Sequence, residues 1–256
     1  MTDMLGGLAP ATFALALAIT LFAGFVKGAV GFAMPLIMVS AFSAFLPPQM
    51  AVAGLILPTL VTNLSQAFRQ GIPAAVETSM TYRRFLIGTV VFILVSAPLV
   101  TVIPKETFLL TLGLPITAFA ALQLAGVPLA LPIHHRTRAE WGLGILGGLY
   151  GGISGIWGPP LLVYLLSIRA PKTEAVRAQG VVFLIGAVAL LIAHLRTGVA
   201  NVHSLAFSAA LVVPAVIGLA LGYRLQDRLD PERFRRWTQV LLVLTGLNLV
   251  RQAITG

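Results

Sequence analysis

Apolar residues fill this chain in long runs that show no alternation with polar ones. Stretches of about 15 to 23 residues recur from Leu5 to Ile254, close to the length a helix needs to cross a bilayer. In runs such as 85–102 (FLIGTVVFILVSAPLVTV) every face is apolar. A membrane barrel strand would alternate apolar and polar positions, so these runs predict helices. Glycine and proline breakers and short charged loops divide the chain into ten elements: 8–26, 31–46, 50–68, 84–103, 106–127, 140–152, 157–168, 175–195, 204–222 and 235–253. The expected fold is an all-α polytopic membrane protein of about ten transmembrane or half-membrane helices, forming one transmembrane domain over 1–256.

The breakers recur. Gly24, Gly28, Gly31 and Pro35 are repeated as Gly148, Gly152, Gly155 and Pro159, each 124 residues later. Pro47, Ala51 and Val52 match Pro171, Ala175 and Val176 at the same offset. This divides the domain into a first repeat, 1–127, and a second, 140–256, each opening with a short broken helix pair. Breakers at corresponding points of two apolar halves are the strongest sequence pointer to a transporter's central site.

Loop charge sets the expected topology. If each broken pair returns to its starting side, 13 of the 17 Lys and Arg residues fall on one face and only Lys105, Arg196 and Arg251 on the other, with Lys27 apart. If each pair is a single crossing, the division is 9 against 7. The positive-inside rule selects the first arrangement, with both termini on the non-cytoplasmic side. Five elements per half is an odd number, so the second half enters the membrane inverted relative to the first.

Composition narrows the function. With 58% hydrophobic and 10% charged residues, the chain lacks the charge that a soluble surface requires. Its net charge of +9 sits in short loops and forms no stripe, so it reads as a topology signal and not as a nucleic-acid surface. There is no cysteine, which removes disulfides, Cys metal sites and thiol catalysis. The four histidines have no ligand spacing, and Glu77, Glu106, Glu140 and Glu174 all fall at loops or helix ends. No enzyme, cofactor or intramembrane carboxylate relay is expected. The N-terminus lacks a basic region before its apolar stretch, so it reads as a first helix and not as a cleaved signal.

The two breaks are 27–35 (KGAVGFAMP) and 151–160 (GGISGIWGPP). Proline favours the first turn of a helix, so Pro35 and Pro159 mark where the second helix of each pair begins. Free N–H groups and the positive dipole end of two such helices, brought together by inverted symmetry, would bind an anion. GxxxG alone has a second reading as a helix-packing motif.

These residues, Gly24-x-x-x-Gly28-x-x-Gly31 with Pro35 and Gly148-x-x-x-Gly152-x-x-Gly155 with Pro159 and Pro160, resemble the glycine-rich segments of the sulfite exporter TauE/SafE family. The resemblance spans nearly the whole chain and implies a carrier in the bacterial inner membrane that exports sulfite or short organosulfonates such as sulfoacetate. Phe32, Ala33 and Met34 stand where further glycines are frequent in the family, and Trp157 interrupts the second segment.

The expected substrate site combines Gly28, Gly31 and Phe32 with Gly152, Ser154, Gly155 and Trp157. Lys27 joins them as the one charge at a break. Asn63, Gln66 and Gln179 are side-chain amides within apolar helices, suited to sulfonate oxygens or to interhelical hydrogen bonds. The expected partners are a small anion, the bilayer and a second copy in a homodimer. An anion channel, or a carrier of other small organic anions, is the alternative.

Overall fold

The computed structural model describes residues 7–225 and 230–255. Among the described residues there are twelve α-helices and no strand. In the first half these are α1 (Pro10–Val30), α2 (Met34–Phe42), α3 (Pro48–Ala67), α4 (Ile72–Thr81), α5 (Arg83–Ser96, continued by a 3-10 segment Ala97–Thr101) and α6 (Lys105–Leu124). The second half holds α7 (Arg136–Ser154), α8 (Gly158–Ser167), α9 (Lys172–Arg196), α10 (Val202–Ala210), α11 (Val212–Leu225) and α12 (Pro231–Thr255). Six described segments are long and apolar enough to cross a membrane: Pro10–Ala29, Pro48–Ala67, Arg83–Thr101, Lys105–Leu124, Thr173–Arg196 and Val202–Leu225. The chain is a multi-pass helical membrane protein. Its outward faces carry exposed apolar side chains such as Phe22, Val95, Leu114, Leu146, Val188 and Ile217, while Lys27, Thr59, Asn63, Gln66 and His194 are buried.

Three elements differ from the sequence expectation. Helix α1 runs through Gly24 and Gly28 and ends only at Val30, giving 21 residues, or about 31 Å, where the expected element ended at 26 and the break began at Lys27. Residues 72–81, expected in a loop, form α4, which Pro73 starts because its missing N–H has no intrahelical use there. The expected helix over 204–222 is broken at Leu211 into α10 and α11, because Pro214 withholds the N–H that would bond Ala210.

The glycines explain why α1 stays helical. A Cβ on Gly24 would collide with the Ala215 backbone, and one on Gly28 with Leu219 and Gly222, so both let α1 lie directly on α11. The second half repeats this contact. Gly148 meets the Thr89 carbonyl and Gly152 meets Ile93, Ser96 and Ala97, which seats α7 on α5. Helix α6 packs on α12 and α3 on α9, while α4 rests against α9 as α10 rests against α3.

The two hairpins open at different ends of this frame. Phe13 of α1 and Phe42 of α2 both pack on Phe207, with ring centroids 6.3 and 6.0 Å away, and Phe207 lies beside Gly54 early in α3. Arg136 of α7 and Tyr164 of α8 meet at Nε–OH 3.4 Å. There Tyr164 packs on Tyr82 and Phe85, and Tyr82 donates to Glu174 at 2.6 Å, level with Gln66 late in α3.

Candidate functional site

Each hairpin turns through a left-handed residue. Gly31 (φ 89°) closes α1 with its N–H on the Lys27 carbonyl at 2.7 Å, and Gly155 (φ 73°) closes α7 with its N–H on the Gly151 carbonyl at 2.7 Å. A Cβ resists this conformation, so the two glycines are required here. The first turn also holds Ala33 at φ 79°, which costs about 1–2 kcal/mol and lets α2 begin at Met34 with Pro35 in its first turn.

The turns meet at one cavity. Its walls are Phe32, Ala33, Pro35, Leu36 and Thr59 from the first half and Gly155, Ile156, Trp157, Gly158 and Phe183 from the second. Phe32 with Ile156, Ala33 with Trp157, and Thr59 with Phe183 are pairs 124 residues apart, so corresponding positions of the halves face the same space. The volume, about 10 Å³, is about that needed for one water molecule.

Helix α3 supplies polar groups. Thr59, Thr62, Asn63 and Gln66 are buried and lie at helical spacing on one face. Pro58 shapes this stretch: it leaves the Gly54 carbonyl without an intrahelical donor, and Ser208 of α10 fills the gap, Oγ donating at 3.1 Å and accepting from the Leu57 N–H at 3.1 Å. Against the polar face lies Lys27, only 1% exposed. Its Nζ donates to Thr62 Oγ1 at 2.9 Å and to Asn63 Oδ1. Among the described residues no carboxylate pairs with it; the one ion pair there is Arg84–Glu140. Gln66 Nε2 donates to the carbonyls of Gly31 and Val176, both at 3.3 Å, tying the first turn to α9.

Donors remain unused around the turns. Thr59 Oγ1, Asn63 Nδ2 and Trp157 Nε1 are buried without a hydrogen-bond partner. A buried lysine amine held by neutral oxygens, together with unfilled hydroxyl, amide and indole donors, suits an oxyanion. Backbone donors contribute less than the helix-terminus argument expects, because Pro159 and Pro160 remove two from the first turn of α8.

Nine of the eleven expected residues fall into three groups. Lys27, Gly31, Asn63 and Gln66 form the polar cluster, and Phe32, Gly155 and Trp157 line the cavity. Gly28 and Gly152 lie in the helix seams. Ser154 uses its hydroxyl inside its own turn, donating to the Tyr150 carbonyl at 2.6 Å and accepting from the Ile156 N–H at 3.1 Å. Gln179 is nearly buried on α9, one turn before Phe183. Thr59, Thr62 and Phe183 were not singled out; the signal for the threonines is helical spacing, Thr59 four residues before Asn63 and Thr62 four before Gln66. Glu140, expected at a loop or helix end, lies one turn into α7 and is 2% exposed, with Oε2 3.6 Å from Arg84 Nη1.

Comparison with curated proteins and with solved structures returns no match. The family described as Sulfite exporter TauE/SafE matches over residues 16–249, nearly the whole chain. Together with the multi-pass helical architecture and the two glycine hairpins, that match gives the assignment: the chain belongs to the sulfite exporter TauE/SafE family of membrane transporters.

Proposed function

We propose that this transporter exports a small sulfur oxyanion, sulfite or a short organosulfonate such as sulfoacetate, across the bacterial inner membrane by alternating access around the two turns. The observation that carries the reading is Lys27: a buried ammonium at the first turn whose partners, Thr62 and Asn63, are neutral. An uncompensated charge at such a depth is costly and marks a ligand path. A unit anion about 4 Å away at an effective dielectric near 20 gains about 4 kcal/mol before its own desolvation.

Two further features support a carrier. The cavity is too small for any sulfur oxyanion, so loading requires the hairpins to separate. Reciprocal packing of α1 on α11 and of α7 on α5, with hairpins that open at different ends of α3, supports an inverted repeat whose halves rock about the cavity. Loop charge supports termini on the non-cytoplasmic side. The test is thermal stabilisation of purified protein by sulfite, thiosulfate, taurine, isethionate and sulfoacetate against carboxylate controls. Stabilisation by carboxylates alone overturns the substrate assignment, and single-channel currents overturn the carrier.

A further inference from the structure

At the end of α9 nearest Gln66, Arg177 is held by neutral oxygens, with no carboxylate among the described residues within ion-pair distance. Arg177 Nε donates to Thr78 Oγ1 at 2.6 Å and Nη1 donates to Gln70 Oε1 at 2.8 Å. Thr78 gives its own proton to the Ala74 carbonyl at 2.8 Å, so toward Arg177 it acts only as an acceptor. Glu174, one turn earlier on α9, accepts from Tyr82 OH at 2.6 Å, and no described carboxylate forms an ion pair with Arg177. Arg177 therefore spends two guanidinium donors on neutral oxygens. These bonds join α9 of the second half to α4 and to the segment following α3 of the first. Gln66, one turn inward from Gln70, bonds Val176 and Gly31 and leads to Lys27.

We propose that Arg177 is an outer anion site that also works as a latch: an oxyanion reaching this end takes the guanidinium from Thr78 and Gln70 and frees α9 from α4. The chemistry favours the exchange, since a charge-assisted bidentate pair with a sulfonate is stronger than two bonds to neutral oxygens. Once released, the first turn is reached along the polar face of α3. What lies behind the latch rests on the carrier reading above, whereas the latch itself rests on the contacts of Arg177.

The absence of cysteine gives a clean assay. In Phe32→Cys, the single thiol lies at the cavity. Its labelling by a charged maleimide is followed in lipid nanodiscs, with isethionate as the probe. The expected result is slow labelling that isethionate accelerates about tenfold, the factor for losing roughly one charged hydrogen bond. Adding Arg177→Gln should give the fast rate without isethionate and no further response. Arg177→Lys, which keeps the charge and loses the fork, should lose most of the acceleration and stands in should the glutamine variant not fold. Wild-type labelling kinetics in either variant, or full acceleration by isethionate, overturns the latch. Lys27→Met separates the two readings: it should cut isethionate's thermal stabilisation to about a third while isethionate's effect on labelling through Arg177 persists.

Discussion

Replacing Lys27 with Met separates a ligand-binding lysine from a structural one. The side chains are similar in volume, so packing around α1 changes little. Removing a buried ammonium relieves about 3 kcal/mol on insertion scales, while the orphaned Asn63 Oδ1 costs about 1–3 kcal/mol. Thr62 loses less, because its hydroxyl already donates to the Pro58 carbonyl at 2.7 Å. The opposing terms leave the unliganded protein within about 2 kcal/mol of its parent. Binding responds differently. If anion desolvation offsets half of the Coulomb gain of about 4 kcal/mol, about 2 kcal/mol is lost, or about thirtyfold in affinity. At a sulfonate concentration about 100 times the parent's Kd, linkage predicts stabilisation falling from about 2.7 to about 0.9 kcal/mol. Thermal unfolding in detergent with and without ligand measures both quantities. A variant that is several kcal/mol less stable yet keeps the full anion response would refute the reasoning and make Lys27 a structural residue.

Gly28→Ala and Gly152→Ala should each lower stability by about 1–3 kcal/mol, since the new methyl meets backbone of the facing helix; Gly142→Ala, with nothing within 4 Å, should be neutral or stabilising in the same melts. Arg84→Gln should destabilise more than Glu140→Gln, because it leaves a buried carboxylate unpaired, although the half-exposed Arg84 keeps the difference to about 1–2 kcal/mol; equal losses would argue that solvent governs the pair. Gly186→Ala places a methyl 2.7 Å from Trp157 Cε2, so the indole must move, and anion-dependent stabilisation should fall severalfold while Gly142→Ala leaves it intact.

Much of the fold was legible because membrane helices announce themselves as uninterrupted apolar runs. Helix α4 did not, for it has ten residues, a single charge at Glu77, and apolar side chains Ile72, Val76 and Met80 that are exposed. Continuation of α1 through Gly24 and Gly28 was hidden too. Glycine is a helix breaker by propensity, and only the facing backbone of α11 turns it into a packing requirement. Lys27 could be read because one charge in an apolar run requires an explanation. Thr59 and Thr62 gave only their helical spacing as a signal, since a threonine in a membrane helix usually bonds its own backbone, as Thr62 does to Pro58. His194, in the last turn of α9, is wholly buried, a fact that depends on what packs against α9.

The halves place corresponding residues around one cavity but give them different chemistry. Where the first half has Lys27, the second has Gly151, and the Trp157 ring lies over it, 2.8 Å from where a Cβ would stand. Across from Thr59 is Phe183, edge-on to the same indole with ring centroids 6.3 Å apart. The first half therefore holds Lys27, the free hydroxyl and one aromatic wall, Phe32, while the second holds two, Trp157 and Phe183, and a single indole donor. Two identical hairpins would present two equivalent half-sites, a design suited to a small symmetric ion. Unequal hairpins distinguish the two ends of a ligand. On the carrier reading, a sulfonate head turns toward Lys27 and Thr59 and a short carbon stem toward Trp157 and Phe183. That division makes an organosulfonate a better fit than bare sulfite, which has no stem for the aromatic walls to cover.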